Sequence, residues 1–418
     1  SVIGLSGKER QRVIEEVREA VSRAYRPAKI GVVERYQEVG YYEKLVRRVD
    51  YPGAEELVLI HLEAGDKFEK ALSYAYARLR GASVLDLTGK PTVNIQEVID
   101  SIERKIMEIA ELESRLRSVK KGSILYFKLM AKKSGAEGEL RRLVNKAKSL
   151  VSQPLEPYKE LLRKHKYITV ISEAPYDLSH HAYDKPCGII PPALLDKILV
   201  NSLLSVNRSI TPIITLSIFS PFPEPLRFPE AEALTLNFTG EAAGPYTLAA
   251  LTSMSRSNIL VIFTHGAPSP QHGEWGIMTW RGVVPLSLFR ELFKALPIYG
   301  QPIILAMACR SWEAFKDSIS YGARAFVGTR WSVLSTTAEE VVREILASIS
   351  AGKNLSEALA TLKSARKKDP YLAAFFLIGP ARIYFGKPSP EALREDPEIT
   401  RTILMDLLQA SRNIPAPD

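Results

Sequence analysis

The sequence predicts an α/β sandwich with a largely parallel central sheet, preceded by an all-helical region. Two observations carry the prediction. From Tyr167 onward, short apolar runs alternate with stretches of helical spacing, the pattern of strands joined by crossover helices. Upstream, apolar residues recur at three- and four-residue steps over long stretches, the mark of amphipathic helices.

In the first 88 residues, Ser6 and Glu9 form a possible capping box, and Val13, Val17, Val21 and Ala24 mark an apolar face. A second helix is expected over 36–49. After the breaker Tyr51-Pro52-Gly53, residues 54–64 and 67–80 read as a helical hairpin turned at Gly65-Asp66. Its segment EAGDKFEKALSYAYARLRG resembles half of a tetratricopeptide repeat. Such a hairpin needs neighbours to cover its face. Residues 89–166 read as a long helical hairpin, with Ile95, Ile99, Ile102, Ile106, Ile109, Leu112 and Leu116 on one seam. The expected break falls at Ser134-Gly135, before Leu140, Leu143, Val144, Ala147 and Val151.

Residues 167–386 carry the strands. YITVIS, PIITLSIF, NILVIFTHG, PIILAMACRS, ARAFVGT and AAFFLIGP are continuous apolar runs of strand length, as expected for strands buried on both faces. Residues 174–192, with His180, His181, Asp184 and Cys187, read as a loop. Helices are expected over 240–254, 285–296, 312–321, 337–350 and 355–367. ARIYFG is expected to close the sheet. Residues 387–418 read as a linker and an amphipathic helix carrying Ile399, Ile403, Leu404 and Leu407.

Composition narrows the class. The chain has 418 residues, 46% hydrophobic and 25% charged, an ordinary globular make-up of roughly two to three domains. No apolar run is long enough for a membrane span, so no membrane association is expected. The opening SVIGLSGKERQR does not read as a secretion signal. With two cysteines, a disulfide framework is not expected and a cytoplasmic location is. The net charge of +9 comes from basic residues mixed with acidic ones along helix faces, so nucleic acid is not the expected partner. No phosphate-cradling glycine motif occurs, and His180, His181 and Cys187 lack a metal-ligand spacing; neither cofactor nor metal is expected.

Two of the apolar runs end at reactive side chains: His265 followed by Gly266, and Cys309 followed by Arg310 and Ser311. Ligands of parallel α/β sheets bind at the carboxyl ends of strands. A His and a Cys on one such rim are what a cysteine hydrolase requires.

The residues of the carboxyl half resemble the CHAT domain, a caspase-like cysteine peptidase domain related to separases and often preceded by tetratricopeptide repeats. FPEAEAL and FTGEAAGPYTLAAL are similar to the segments preceding its catalytic His, and VIFTHG to its His-Gly box. IILAMACRSW resembles its nucleophile box, GARAFVGTRWSV its "GARSVVGTLWPV", and ALATLKSARKKDPYLAAFFLIG its closing segment. The helix KALSYAYARLRGASVLDLTG resembles the one joining repeats to the domain. The boxes follow one another in the family's order over residues 65–386.

The resemblance implies a caspase-like fold and a Cys–His dyad of Cys309 and His265. It implies an acyl-enzyme mechanism on a protein substrate, with backbone N–H groups of Gly266 and Cys309 holding the oxyanion. It also implies that the amino-terminal helices bind a regulatory protein partner or regulate access to the active site. Trp331 would line the substrate pocket or close the core. Glu274 would orient His265, recognise a basic substrate or stand solvated in its loop. Arg310 would meet a substrate carboxylate or lock the nucleophile loop by an ion pair. His272, in a proline-containing loop, ranks below His265 as the base. Where family members commonly carry an Asp after Trp-Pro-Val, this chain has Ser332-Val333-Leu334-Ser335, a difference that bears on specificity. Two other functions compete: a catalytically inactive interaction scaffold of the same fold, and a basic nucleic-acid-binding scaffold.

Overall fold

The computed structural model describes residues 54–180, 183–198, 216–220, 235–239, 257–269, 274–279, 282–285, 287, 302–312, 316–351 and 353–383. The helices expected before residue 54 and over 240–254, nearly all of that over 285–296, the tail 387–418, and His181 and His272 lie outside the described residues.

Among the described residues, ten strands form one sheet. In chain order its first half takes β1 (Glu56–Ile60), β2 (Ser83–Asp86), β3 (Tyr167–Ile171) and β4 (Cys187–Ile190). Its second half takes β5 (Leu216–Ser220), β6 (Thr235–Thr239), β7 (Ile259–Phe263), β11 (Ile303–Met307) and β12 (Ala325–Thr329), and β13 (Phe375–Ile378) returns to the first. The spatial order is β2-β1-β3-β4-β13-β12-β11-β7-β5-β6. Every neighbouring pair is parallel except β12 with β13. The sheet is thus two parallel halves, each ordered second-first-third-fourth-fifth, joined edge to edge with opposite direction. The carboxyl ends of the two halves open on opposite rims.

Strands buried on both faces alternate their side chains between two cores. Val58, Ile60, Leu260, Ile262, Ile304, Ala306, Phe326 and Phe376 face one, with α1 (Lys67–Leu79). On the other face, Leu57, Leu59, Ile168 and Val170 pack under α2 (Gln96–Ser118) and α3 (Ile124–Ser152). After the short α4 (Lys159–Lys164), the same face of the second half is covered by α5 (Ser335–Ser350) and α6 (Leu355–Ala365). A capping box at Asn354 and Glu357 starts α6.

Several expectations need correction. Residues 54–64, read as a helix, contain β1; ELVLI is rich in helix-compatible Glu and Leu, but all five residues are buried in the sheet. Glu56 is tolerated there because it accepts from Thr169 Oγ1 at 2.6 Å and from Arg80 at 3.2 Å. Among the described residues the sheet therefore begins at Glu56, and the long hairpin is the β2-to-β3 connection packed on the sheet. The loop assigned to 174–192 contains β4, and Thr235–Thr239, unassigned, is the edge strand β6. Ala381–Ile383, from the run expected to close the sheet, is not in a strand.

The hairpin turns over 119–123, not at Ser134-Gly135. Gly122 takes the left-handed φ of 85°, and Ser123 caps α3 by accepting from the Tyr126 N–H at 3.1 Å. α3 runs unbroken through Gly135 because Leu129, Ala136, Leu140 and Val144 hold its other face. A Cβ at Gly135 or Gly138 would meet nothing within 4 Å. Each Gly→Ala change is therefore expected to stabilise by about 0.5–1 kcal/mol. A raised urea midpoint at unchanged slope checks this; a lowered midpoint contradicts it.

Candidate active site

The site lies on the carboxyl rim of the second half. There β7 and β11 are neighbours in register, with Phe263 opposite Met307. The ladder continues one step, from the Thr264 N–H to the Met307 carbonyl at 3.2 Å. His265 and Cys309 therefore each stand two residues beyond paired strand ends. The half-sheet order β6-β5-β7-β11-β12 reverses direction between β5 and β7. That switch point is where ligands bind in such sheets, and His265 follows directly from it.

Past His265 the chain enters a three-stranded antiparallel sheet that sequence reading missed: β8 (Gly266–Pro268), β9 (Trp275–Thr279) and β10 (Gly282–Pro285). The Met278 N–H donates to the His265 carbonyl at 2.8 Å, fixing the backbone that carries the imidazole. Gly266 pairs with Ile277 at a position where its own N–H and C=O point away from β9. Among the described residues β8 pairs with β9 alone, so that N–H points to the side of β8 away from β9.

The nucleophile turn is pinned from several sides. Ser311 N–H donates to the Ala308 carbonyl at 3.2 Å, and Ser311 Oγ to the Ala306 carbonyl at 2.9 Å. From β12, Thr329 N–H donates to Ser311 Oγ at 2.9 Å and Thr329 Oγ1 to the Ala308 carbonyl at 2.7 Å. Arg310 takes a left-handed φ of 54°, an unfavourable conformation for a side-chain-bearing residue that active-site turns often hold. Its guanidinium lies over the Trp275 ring, 5.1 Å from the centroid. Trp275 Nε1 donates to the Cys309 carbonyl at 3.0 Å. The half-exposed Cys309 directs its thiol at the Val333 carbonyl, 3.9 Å away.

Gly266 completes the arrangement. A Cβ there would collide with the Cys309 carbonyl and lie 2.6 Å from Trp275 Nε1. The His-Gly segment and the nucleophile turn are thus in direct backbone proximity. His265 is exposed at the rim, and the surrounding protein lowers its pKa by desolvation, favouring the neutral imidazole a base requires. The other thiol, Cys187, is buried in β4 and donates to the Tyr176 carbonyl at 3.4 Å. Burial, aided by Asp177, pushes its pKa up to about 12, so it is no nucleophile.

Comparison of the chain with family models finds no match, and comparison with curated proteins finds none. Among solved structures it is similar to the complex of Porphyromonas gingivalis RgpB pro- and mature domains, at TM-score 0.44 and 11% identity over 78% of this chain and 79% of that one. It is also similar to a structure described only as a protease, at TM-score 0.42 and 10% identity over 78% of each chain. Likeness this loose carries no function across.

The remaining candidates stand elsewhere. Trp331 is 4% exposed and packs in the core beneath the α2–α3 hairpin, its Nε1 without a hydrogen-bond partner. The Glu274 carboxylate accepts from Ser287 Oγ at 2.5 Å, tying the start of β9 to the segment after β10. Beside Trp331, Glu103 of α2 accepts from the Ser332 N–H and from Ser332 Oγ, each at 2.8 Å. Behind the rim lies a buried charge cluster. Lys363 donates to Asp177, to Ser179 Oγ at 3.0 Å and to the Phe375 carbonyl. Arg330 donates to the Pro175 carbonyl at 3.1 Å, its guanidinium 4.5 Å from the Phe376 ring centroid. Trp275, Glu103 and this cluster escaped sequence reading because a lone indole or carboxylate in a loop or on a helix has no spacing to announce it.

Proposed function

We propose that the chain is a cytoplasmic, CHAT-type, caspase-like cysteine endopeptidase acting through Cys309 and His265. The observation that carries this reading is the register of β7 and β11. It sets a His and a Cys equally far beyond neighbouring strand ends, with a glycine between them that tolerates no side chain. His265 takes the proton of the Cys309 thiol as the sulfur adds to the peptide carbonyl carbon. The N–H of Gly266 and the N–H of Cys309 stabilise the resulting oxyanion. Collapse breaks the C–N bond as His265 protonates the departing amine, leaving a thioester. Water, deprotonated by His265, then releases the acid and restores the thiol. Arg310 and Trp275 hold the nucleophile turn, and Glu274 braces the hairpin that carries Gly266. Trp331 supports the pocket wall from within the core.

Acyloxymethyl-ketone probes differing in the residue before the warhead test this by intact mass. Labelling is expected on wild type, absent on Cys309→Ala, and reduced about 100-fold or more on His265→Ala. Labelling that persists on Cys309→Ala would refute the dyad.

A catalytically quiet interaction scaffold is the second reading. It is favoured by apolar side chains near the hairpin turn: Ile124 is 77% exposed and Phe127 63%, with Leu125 and Met130 beside them. In that case a regulatory protein partner would engage α2–α3, and Cys309→Ala would leave binding and function intact.

A further inference from the structure

We infer that Glu103 is a positioning residue for Cys309: its grip on Ser332 makes the α2–α3 hairpin a lever on the surroundings of the thiol. This rests on the peptidase reading for its purpose, but not for its test. Both carboxylate oxygens of Glu103 are taken by one residue, Ser332, through its N–H and its hydroxyl. The two residues lie 229 positions apart. Ser332 is 8% exposed and sits in the short connection between Thr329, the last residue of β12, and Ser335, the first of α5. On one side of it Trp331 is buried in the same core as Ile102 and Ile106 of α2. On the other, Val333 packs against the cores of both sheet halves and presents its carbonyl to Cys309 Sγ.

Desolvation raises the Glu103 carboxyl pKa, against the two Ser332 hydrogen bonds and the charge of Arg310. An apolar side chain at 103 would cover Trp331 without that desolvation. What the carboxylate adds is a bidentate hold on one peptide and one hydroxyl. With Ser332 held, the Val333 carbonyl stays within reach of the thiol. A shift of the hairpin would carry Ser332 with it and turn that carbonyl. The chain of contacts is short: α2, Glu103, Ser332, Val333, Cys309. Releasing Val333 therefore removes the contact that directs the Cys309 thiol and changes the access to it.

The test reads the thiol directly with iodoacetamide, using intact mass and peptide mapping on the full chain, beside amide exchange of the peptide holding Ser332. In Glu103→Ala, exchange at Ser332 and alkylation of Cys309 are each expected to accelerate about tenfold, as for a lost hydrogen bond to a charged group. Glu103→Gln, which can still accept from the Ser332 N–H, is expected near wild type. Buried Cys187 is the internal reference and should not accelerate. Ser332→Ala should give part of the effect, and the double variant no more than Glu103→Ala alone, since the two act through one contact.

Unchanged Cys309 alkylation in Glu103→Ala would overturn the inference. So would Cys309 and Cys187 accelerating together, which marks general loosening, or additive effects in the double variant. Were Glu103→Ala not to fold, Ser332→Ala and Glu103→Gln would still decide by the same two readouts. Accelerated alkylation without peptide hydrolysis in any variant would leave the lever standing and remove the peptidase reading. Hydrolysis with a silent Glu103 would do the reverse.

Discussion

Gly266→Ala is expected to lower peptide turnover by about 100-fold or more while the sheet stays folded. The added methyl would collide with the Cys309 carbonyl and crowd Trp275 Nε1. Neither neighbour can yield cheaply. The carbonyl belongs to a turn whose flanking residues are held by Ser311 and Thr329, and it already accepts from the Trp275 indole. The yielding element is β8, a strand of three residues that pairs with β9 alone among the described residues. Its shift would displace the Gly266 N–H from the oxyanion and swing His265, whose carbonyl is bound to Met278. Binding and chemistry should therefore separate, with kcat falling further than KM rises. Gly65→Ala, where a Cβ meets nothing within 4 Å, is the matched control. Turnover within about threefold of wild type would show that the methyl is absorbed and that this N–H holds no oxyanion.

Lys363→Met is expected to cost about 3–5 kcal/mol of stability, the largest single effect outside the dyad. Lys363 is 1% exposed and its ammonium pairs with buried Asp177. Burial alone would raise the Asp177 pKa; the Lys363 charge, its hydrogen bond and the Ser179 hydroxyl outweigh that and hold it well below the usual carboxylate range. Lys363 itself is pulled below its ordinary value by burial, against the opposing pull of Asp177. A depressed carboxylate contributes stability that is fully present above its unfolded pKa, about 3.9, and is lost as pH falls toward the folded value. Wild type should therefore lose this contribution below about pH 4.

In Lys363→Met the dominant influence on Asp177 becomes burial, which raises its pKa. The sign then reverses: the variant should lose stability as pH rises through that raised value, leaving at neutral pH a buried carboxylate that has lost its ammonium partner and keeps only the weaker pull of Arg330. The double change Asp177→Asn with Lys363→Met is expected to recover part of the loss, because Asn still accepts from the Ser179 N–H and the charges at 177 and 363 go together, while buried Arg330 loses the opposing charge of Asp177. Denaturant midpoints from pH 3 to 8 read all three. A single variant as stable as wild type at pH 7 would mean that the pair contributes nothing net. The cluster matters to the site because Asp177 and Arg330 hang on the same backbone turn, and Arg330 begins the connection that carries Ser332 and Val333.

By itself the sequence determined the strands around the candidate site and the His and Cys that follow them. ILVIF and IILAM are apolar runs of strand length, each ending two residues short of a His or a Cys, and buried parallel strands look like that whatever surrounds them. The seam of α2 was legible for the same reason, since local period encodes which face is buried, and α5 and α6 were legible as helices. Tertiary structure decided the rest. ELVLI became a strand because the sheet had room for it beside β3 and supplied Arg80 and Thr169 to its glutamate. α3 passed through two glycines because its far face was already packed. The antiparallel seam of β12 with β13, the indole on the Cys309 carbonyl and the carboxylate on Ser332 join residues far apart in the chain. No local periodicity records such pairings, since each is fixed by the register of the sheet and by buried polar groups that must find partners.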